Sequence, residues 1–213
     1  MVRKSWKDRV VTYIQNHSSL YLFICILLVM GVIFGAILVN SLQDSQKQDL
    51  YFYLNKFFVQ VSEGKFASSG EMFQQSYLSH IKYTGFIWLL GISMIGLPVI
   101  FILLFLKGVV VGFTVGFLVN QLGWKGILLS FAAVLPQNLI IIPVFLIMTA
   151  VSISFSLRMI RHQFVRKMNG PLLPFFIRYT VFFIIVGVVL VFASAIEAYL
   201  SPTLMKTIMT GIK

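Results

Sequence analysis

Apolar residues arrive along this chain in long blocks separated by short polar stretches, and the blocks lack the spacing of an amphipathic surface helix. Residues 20–39 hold neither charge nor proline. At about 1.5 Å per residue such a run reaches about 30 Å, the hydrocarbon thickness of a bilayer. Residues 83–106 form a second block, with Trp88 near its start. Residues 108–122, beyond Lys107, form a third, short enough that a re-entrant segment is the alternative to a full span. Residues 127–157 form a fourth, uncharged but interrupted by Pro136 and Pro143, and read as one kinked helix or two half-helices around a break. Residues 179–198 form a fifth, with Glu197 at its far end. The first block ends without small residues at the −3 and −1 positions of a cleavage site, so it reads as an uncleaved span rather than a signal peptide.

The polar stretches carry helical patterns of their own. In residues 1–19, Trp6, Val10, Tyr13 and Ile14 fall on one face behind a Ser5/Asp8 cap, which predicts a basic amphipathic helix lying at the inner interface. Residues 40–82 predict a helical hairpin. Ser41 with Asp44 and Ser68 with Glu71 have capping-box spacing, a serine-rich turn runs from 64 to 70, and Leu50, Leu54, Phe57, Phe58 and Val61 recur at helical intervals. Phe73, Tyr77 and Ile81 do the same in the second arm. Residues 158–178 are a basic loop around the Asn169-Gly170-Pro171 turn, and Ser201-Pro202 reads as the cap and first residue of a short amphipathic tail, 199–213. The fold class is therefore all-α: a polytopic helical membrane protein of about five transmembrane helices with a small extracytoplasmic helical hairpin.

Composition agrees. Only 11% of the residues are charged and 59% are hydrophobic, against about 25% charged in a soluble domain. The net charge of +11 comes from bases flanking the apolar blocks, which points to orientation in an anionic membrane and not to nucleic acid. With the N-terminus inside and five spans, all of Arg3, Arg9, Arg158, Arg161, Arg166 and Arg178 fall on the cytoplasmic side. The hairpin and the tail then face outward.

Candidate chemistry is sparse. On these boundaries the spans contain no Asp, Lys, Arg or His; His17, His80 and His162 fall in flanks and Glu197 at a membrane edge. No aspartyl pair, metal motif, nucleophile elbow or phosphate loop is present, and Ser93, in Gly91-Ile-Ser-Met-Ile-Gly96, lacks the elbow spacing. The expectation is a non-enzyme with no catalytic residue, no cofactor and no metal. Cys25, the single cysteine, sits in an apolar run and forms no disulfide within the chain. Gly31 with Gly35, and Gly108 with Gly112 and Gly116, return to one helix face every four residues, which predicts close helix packing, either within the chain or in a homodimer. Pro136, Gln137 and Asn138, with Pro143, form a polar intramembrane break: a kink whose freed backbone groups the two amides satisfy, or a groove facing a partner or substrate. Asn120 and Gln121 are expected at the outer interface.

The stretch Met30-Gly-Val-Ile-Phe-Gly-Ala-Ile-Leu-Val-Asn-Ser41, followed by Gln46-Lys-Gln-Asp-Leu-Tyr-Phe-Tyr-Leu, resembles the stage II sporulation protein M family. The likeness in length, span order and ectodomain position runs nearly end to end. Leu135-Pro-Gln-Asn to Ile-Pro143 is similar to the proline-bracketed motif of the wider superfamily, but Gln137-Asn138 and Ile141 replace its His-Gly and Glu. The resemblance implies a non-catalytic membrane scaffold for endospore formation, on the mother-cell side of the septum. It would anchor a peptidoglycan-degrading complex for engulfment of the forespore. The implied partners are the sporulation proteins D, a lytic transglycosylase, and P, an amidase and endopeptidase, with Phe57, Phe58 and Tyr77 of the hairpin as docking candidates. The alternative is a permease component working with a separate ATPase, which would dock on residues 158–178.

Overall fold

A computed structural model describes residues 18–62, 68–93, 95–164 and 173–211. Seven helices account for nearly all of them: α1 Ser18–Asn40, α2 Asp44–Ser62, α3 Ser69–Ile92, α4 Gly96–Leu122, α5 Trp124–Ala133, α6 Leu135–Phe164 and α7 Leu173–Gly211. No strand occurs among the described residues. The basic head lies outside them but for residues 18 and 19, as does the basic loop over 165–172.

The helix ends follow from local chemistry. At α3, Ser68 and Glu71 close a capping box: the Ser68 hydroxyl accepts from the Glu71 N–H at 3.3 Å, and a Glu71 carboxylate oxygen accepts from the Ser68 N–H at 2.9 Å. At α2 the expected Ser41/Asp44 pair is replaced by its neighbours. The Ser41 and Leu42 amides close the end of α1, and Gln46 accepts from the Gln43 N–H at 3.0 Å. Three prolines mark three starts, because a proline in the first turn forfeits no helical hydrogen bond. Pro98 is third in α4, Pro136 second in α6 and Pro174 second in α7. Gly123, with φ of 56°, supplies the left-handed residue that separates α4 from α5.

These boundaries revise the segmentation expected from hydropathy. The block 83–106 is cut at Ser93, whose extended backbone ends α3, and Pro98 then opens α4. No boundary falls at Lys107. The 108–122 run is the second half of a 27-residue helix, long enough to cross a bilayer unaided. The block 127–157 breaks at Val134 into the short α5 and the long α6. Ser201 and Pro202 do not begin a separate tail helix but lie inside α7. Membrane helices absorb an internal proline when neighbours or nearby side chains satisfy the released carbonyl.

Four helices, α1, α4, α6 and α7, are long and apolar enough to cross a membrane. Contacts give their directions. α1 and α4 run parallel: Phe23 meets Phe101, Leu28 and Gly31 meet Gly108, and Asn40 meets Asn120. α3 runs antiparallel to α7, with Ser76 beside Glu197 and Trp88 beside Tyr179, and parallel to α6, with Tyr83 on Phe145 and Ser93 on Ser156. α3 is thus the return leg between α1 and α4. α5 doubles back on the end of α4, where Gly126 meets the Leu118 and Val119 backbone. α5 and α6 together make the next return leg, giving five legs in all. The shared core holds Ile24, Ile87, Ile100, Leu104, Met148 and Leu190, all essentially buried. Leu22, Ile26, Val29, Ile33 and Ile37 of α1 remain exposed, as a lipid-facing stripe would.

Candidate functional site

The five glycines singled out by spacing lie along one contact, between α1 and α4 of the same chain. A Cβ at Gly35 would stand 2.8 Å from the Phe113 amide nitrogen and 2.9 Å from the Val109 carbonyl carbon; one at Gly112 would stand 2.7 Å from the Val32 carbonyl carbon. Gly31 and Gly108 face each other, and Gly116 faces Ala36. At Gly31, Gly35, Gly108 and Gly112 backbone meets backbone and only glycine fits, whereas at Gly116 the nearest atom is Ala36 Cα at 3.0 Å.

At the N-terminal end of α7 an aromatic cluster locks three legs. Phe155 stacks on Tyr179 with centroids 4.5 Å apart, and Trp88 stacks on Phe183 at 5.4 Å. The Tyr179 hydroxyl donates to the Trp88 carbonyl at 2.9 Å and lies 2.8 Å from the Ser152 hydroxyl. The Arg158 guanidinium sits 3.5 Å over the Phe175 ring, tying the end of α6 to the start of α7. Arg158 and Arg161, near the end of α6, and Arg178, near the start of α7, fall at this end of the bundle.

Across the bundle lies a group that sequence boundaries had scattered into flanks. Glu197 of α7 reaches α3, where its Oε2 accepts from the Ser76 hydroxyl at 2.6 Å and from His80 Nε2 at 2.9 Å. The His80 side chain is 15% exposed and that of Glu197 28%. Lys107, near the middle of α4, acts electrostatically on the same carboxylate. With His80 and Tyr83 it lines a gap of about 10 Å³, room for about one water. The expectation that the spans carry no charged or histidine side chain is therefore corrected. Lys107 lies within α4, and Glu197 and His80 bridge two legs of the bundle. Ionisable groups survive in such places when paired, and they mark function more often than chance. The missed signal was the cut at Ser93: once Pro98 opens α4, Lys107 falls in mid-helix.

Glu197 also faces a cavity of about 550 Å³ lined by residues of α2, α3, α4, α5, α6 and α7. Its walls are mostly apolar, from Leu54 of α2, Phe113 and Phe117 of α4 and Leu129 of α5, and its other polar members include Gln137 and Ser201. Size and lining fall in the range of small-molecule sites.

The polar break divides between two tasks. Asn138 Nδ2 donates to the Val134 carbonyl at 2.8 Å, satisfying the end of α5, whereas Gln137 lines the cavity. Pro136 starts α6, and Pro143 lies inside it. Asn120 donates to Asn40 at 3.4 Å and accepts from Gln121, joining the far ends of α1 and α4. Of the docking candidates, Tyr77 does not project outward: it is half-buried against the core and stacks on Phe73. The side chains of Phe57 and Phe58 lie outside the described residues. Among the described side chains of α2, the aromatics Tyr51, Phe52 and Tyr53 are exposed, with Phe52 at 65%. Among the described residues no group of three or more His, Cys, Asp or Glu is placed to hold a metal ion.

Fold and site together define a polytopic α-helical membrane protein with a charged, hydrogen-bonded junction at the edge of an apolar cavity. The chain belongs to the stage II sporulation protein M family, whose pattern matches residues 24–202. It is thereby a sporulation-related membrane protein. Searches of curated proteins and of solved structures returned no match.

Proposed function

We propose that the protein is a non-enzymatic scaffold in the cell membrane, on the mother-cell side of the sporulation septum. There it holds a peptidoglycan-degrading complex in place during engulfment, with the sporulation proteins D and P as partners. The observation that carries this reading, beside family membership, is α2. It follows the end of α1, touches the bundle chiefly through α7, and exposes Tyr51 and Phe52. Aromatics presented on a protruding helix are what a partner's hot spot uses. With α1 entering from the cytoplasm, as arginine placement favours, that helix stands on the wall side.

The test is recovery of wall hydrolases with the tagged full-length chain from sporulating cells. Tyr51→Ser with Phe52→Ser should abolish recovery while the protein stays in the membrane at normal level. Undiminished recovery would remove α2 as the docking element. The rival permease reading draws on the Lys107–Glu197–His80 junction, since transporters place charges between helices. It requires a co-purifying ATPase, and recovery of one in place of hydrolases would favour it.

A further inference from the structure

The cavity beneath α2 has three features that the scaffold role leaves unused. First, both bonds to the Glu197 carboxylate fall on Oε2, and Oε1 has no partner among the described residues. Second, Ser201, one turn further along the same face of α7, is 4% exposed, and its hydroxyl has no hydrogen-bond partner. Its neighbours Thr203 and Thr207 donate to the carbonyls four residues back at 3.0 Å; Ser201 does not, although it borders the cavity. Third, Pro202 has no N–H, so the buried Ala198 carbonyl lacks its usual helical donor. A buried hydroxyl without a partner costs about 1–3 kcal/mol, and the one at Ser201, beside an open carboxylate oxygen and a carbonyl without its helical donor, points to a missing polar atom.

The charge balance says what kind of atom. His80, 2.9 Å from the Glu197 carboxylate, and Lys107, whose charge acts on it from α4, already offset its charge, so an added cation would leave a net charge in the bundle, and an anion would meet the carboxylate. An uncharged hydroxyl suits both open groups at once: its proton goes to Glu197 Oε1, and its oxygen accepts from Ser201. The remaining walls, Leu54, Phe117, Leu129 and Met205 among them, require a hydrocarbon body. We propose that this cavity binds a single-chain, uncharged amphiphile ending in a hydroxyl, held through Glu197 and Ser201. An acylglycerol and an isoprenoid alcohol share this chemistry. The proposal stands apart from hydrolase docking and can fail without it.

The experiment places the full-length protein in phosphatidylcholine nanodiscs. It compares three diazirine probes of the same acyl chain, with monoacylglycerol, primary-amine and carboxylate heads. The monoacylglycerol should label α5 or residues 197–205 of α7 at least about tenfold more than either charged probe, about 1.4 kcal/mol of preference. Ser201→Ala, which leaves the Ser76–Glu197–His80 bonds intact, should weaken that labelling, and Ala133→Trp, which fills the cavity, should abolish it. Competition by unlabelled monoacylglycerol or by a long-chain isoprenoid alcohol then tells an acyl body from a branched one. Equal labelling by the three heads, labelling elsewhere in the chain, or labelling that survives Ala133→Trp would overturn the assignment.

Discussion

Gly112→Ala and Gly85→Ala are the same chemical change on two helices of one bundle, and the structure assigns them opposite outcomes. At Gly85 an added Cβ would meet nothing nearer than Phe183 Cζ at 3.6 Å, an ordinary contact. At Gly112 it would overlap the Val32 carbonyl oxygen and stand 2.7 and 2.8 Å from the carbonyl and α carbons of the same residue. Carbon atoms pack at about 3.5–4.0 Å, so α1 must retreat by about 1 Å. The obstruction is backbone, which has no rotamer to change. Both substitutions gain the same helix propensity, about 1 kcal/mol, and that contribution cancels in the difference. What remains is the overpacking cost, about 1–3 kcal/mol, towards the upper end because Gly31, Gly35, Gly108 and Gly116 lose contact as the helices part. At about 2–4 °C per kcal/mol for a chain of this size, Gly112→Ala should melt about 2–12 °C below Gly85→Ala in the same detergent. Coincident melting of the two variants would refute the α1–α4 seam, as would a Gly35→Ala, Gly112→Ala double variant that melts like the parent.

Two further outcomes test the aromatic lock and the orientation. Tyr179→Phe keeps the stack on Phe155 but deletes the hydroxyl between Trp88 and Ser152; at about 0.5–1.5 kcal/mol for each bond, it should lower the melting temperature measurably, and an unchanged melt would show that the hydroxyl contributes nothing. In a Cys25→Ala background, a maleimide that cannot cross lipid should label Ser45→Cys on α2 in intact cells and miss Leu173→Cys at the start of α7; the reverse pattern would invert the topology.

The glycine seam was legible in sequence because its cause is local: a four-residue repeat places small residues on one face whatever surrounds the helix. The Ser68–Glu71 cap was legible for the same reason, since both partners lie within one turn. Which helix the seam packs against was not, because two parallel legs of one chain and two copies of that chain satisfy the same spacing. Helix boundaries failed where a charge was taken for a stop. Lys107 interrupts an apolar run, but a lysine inside a bundle can extend towards a carboxylate from another helix. Ser93, which does end the preceding element, and Gly96 and Pro98, which open the next, raise no hydropathy signal.

The junction itself was hidden for a different reason. Ser76 and His80 sit in a stretch polar enough to read as ectodomain, and Glu197 sits at the end of an apolar block; each taken singly has a bland explanation. Only the antiparallel packing of α3 on α7 brings residues more than a hundred positions apart within 3 Å. Hydropathy averages along one helix, whereas the cost of a buried charge is set by its lateral neighbours. Three of those neighbours here carry a charge or a hydrogen-bond donor. The half-polar α3 therefore belongs inside the bundle: its polar face meets the polar side of α7, and its apolar half, from Phe86 to Ile92, packs with the aromatic lock at the other end. Such a leg is not among the four helices apolar enough to span and still completes the path that the parallel directions of α1 and α4 demand.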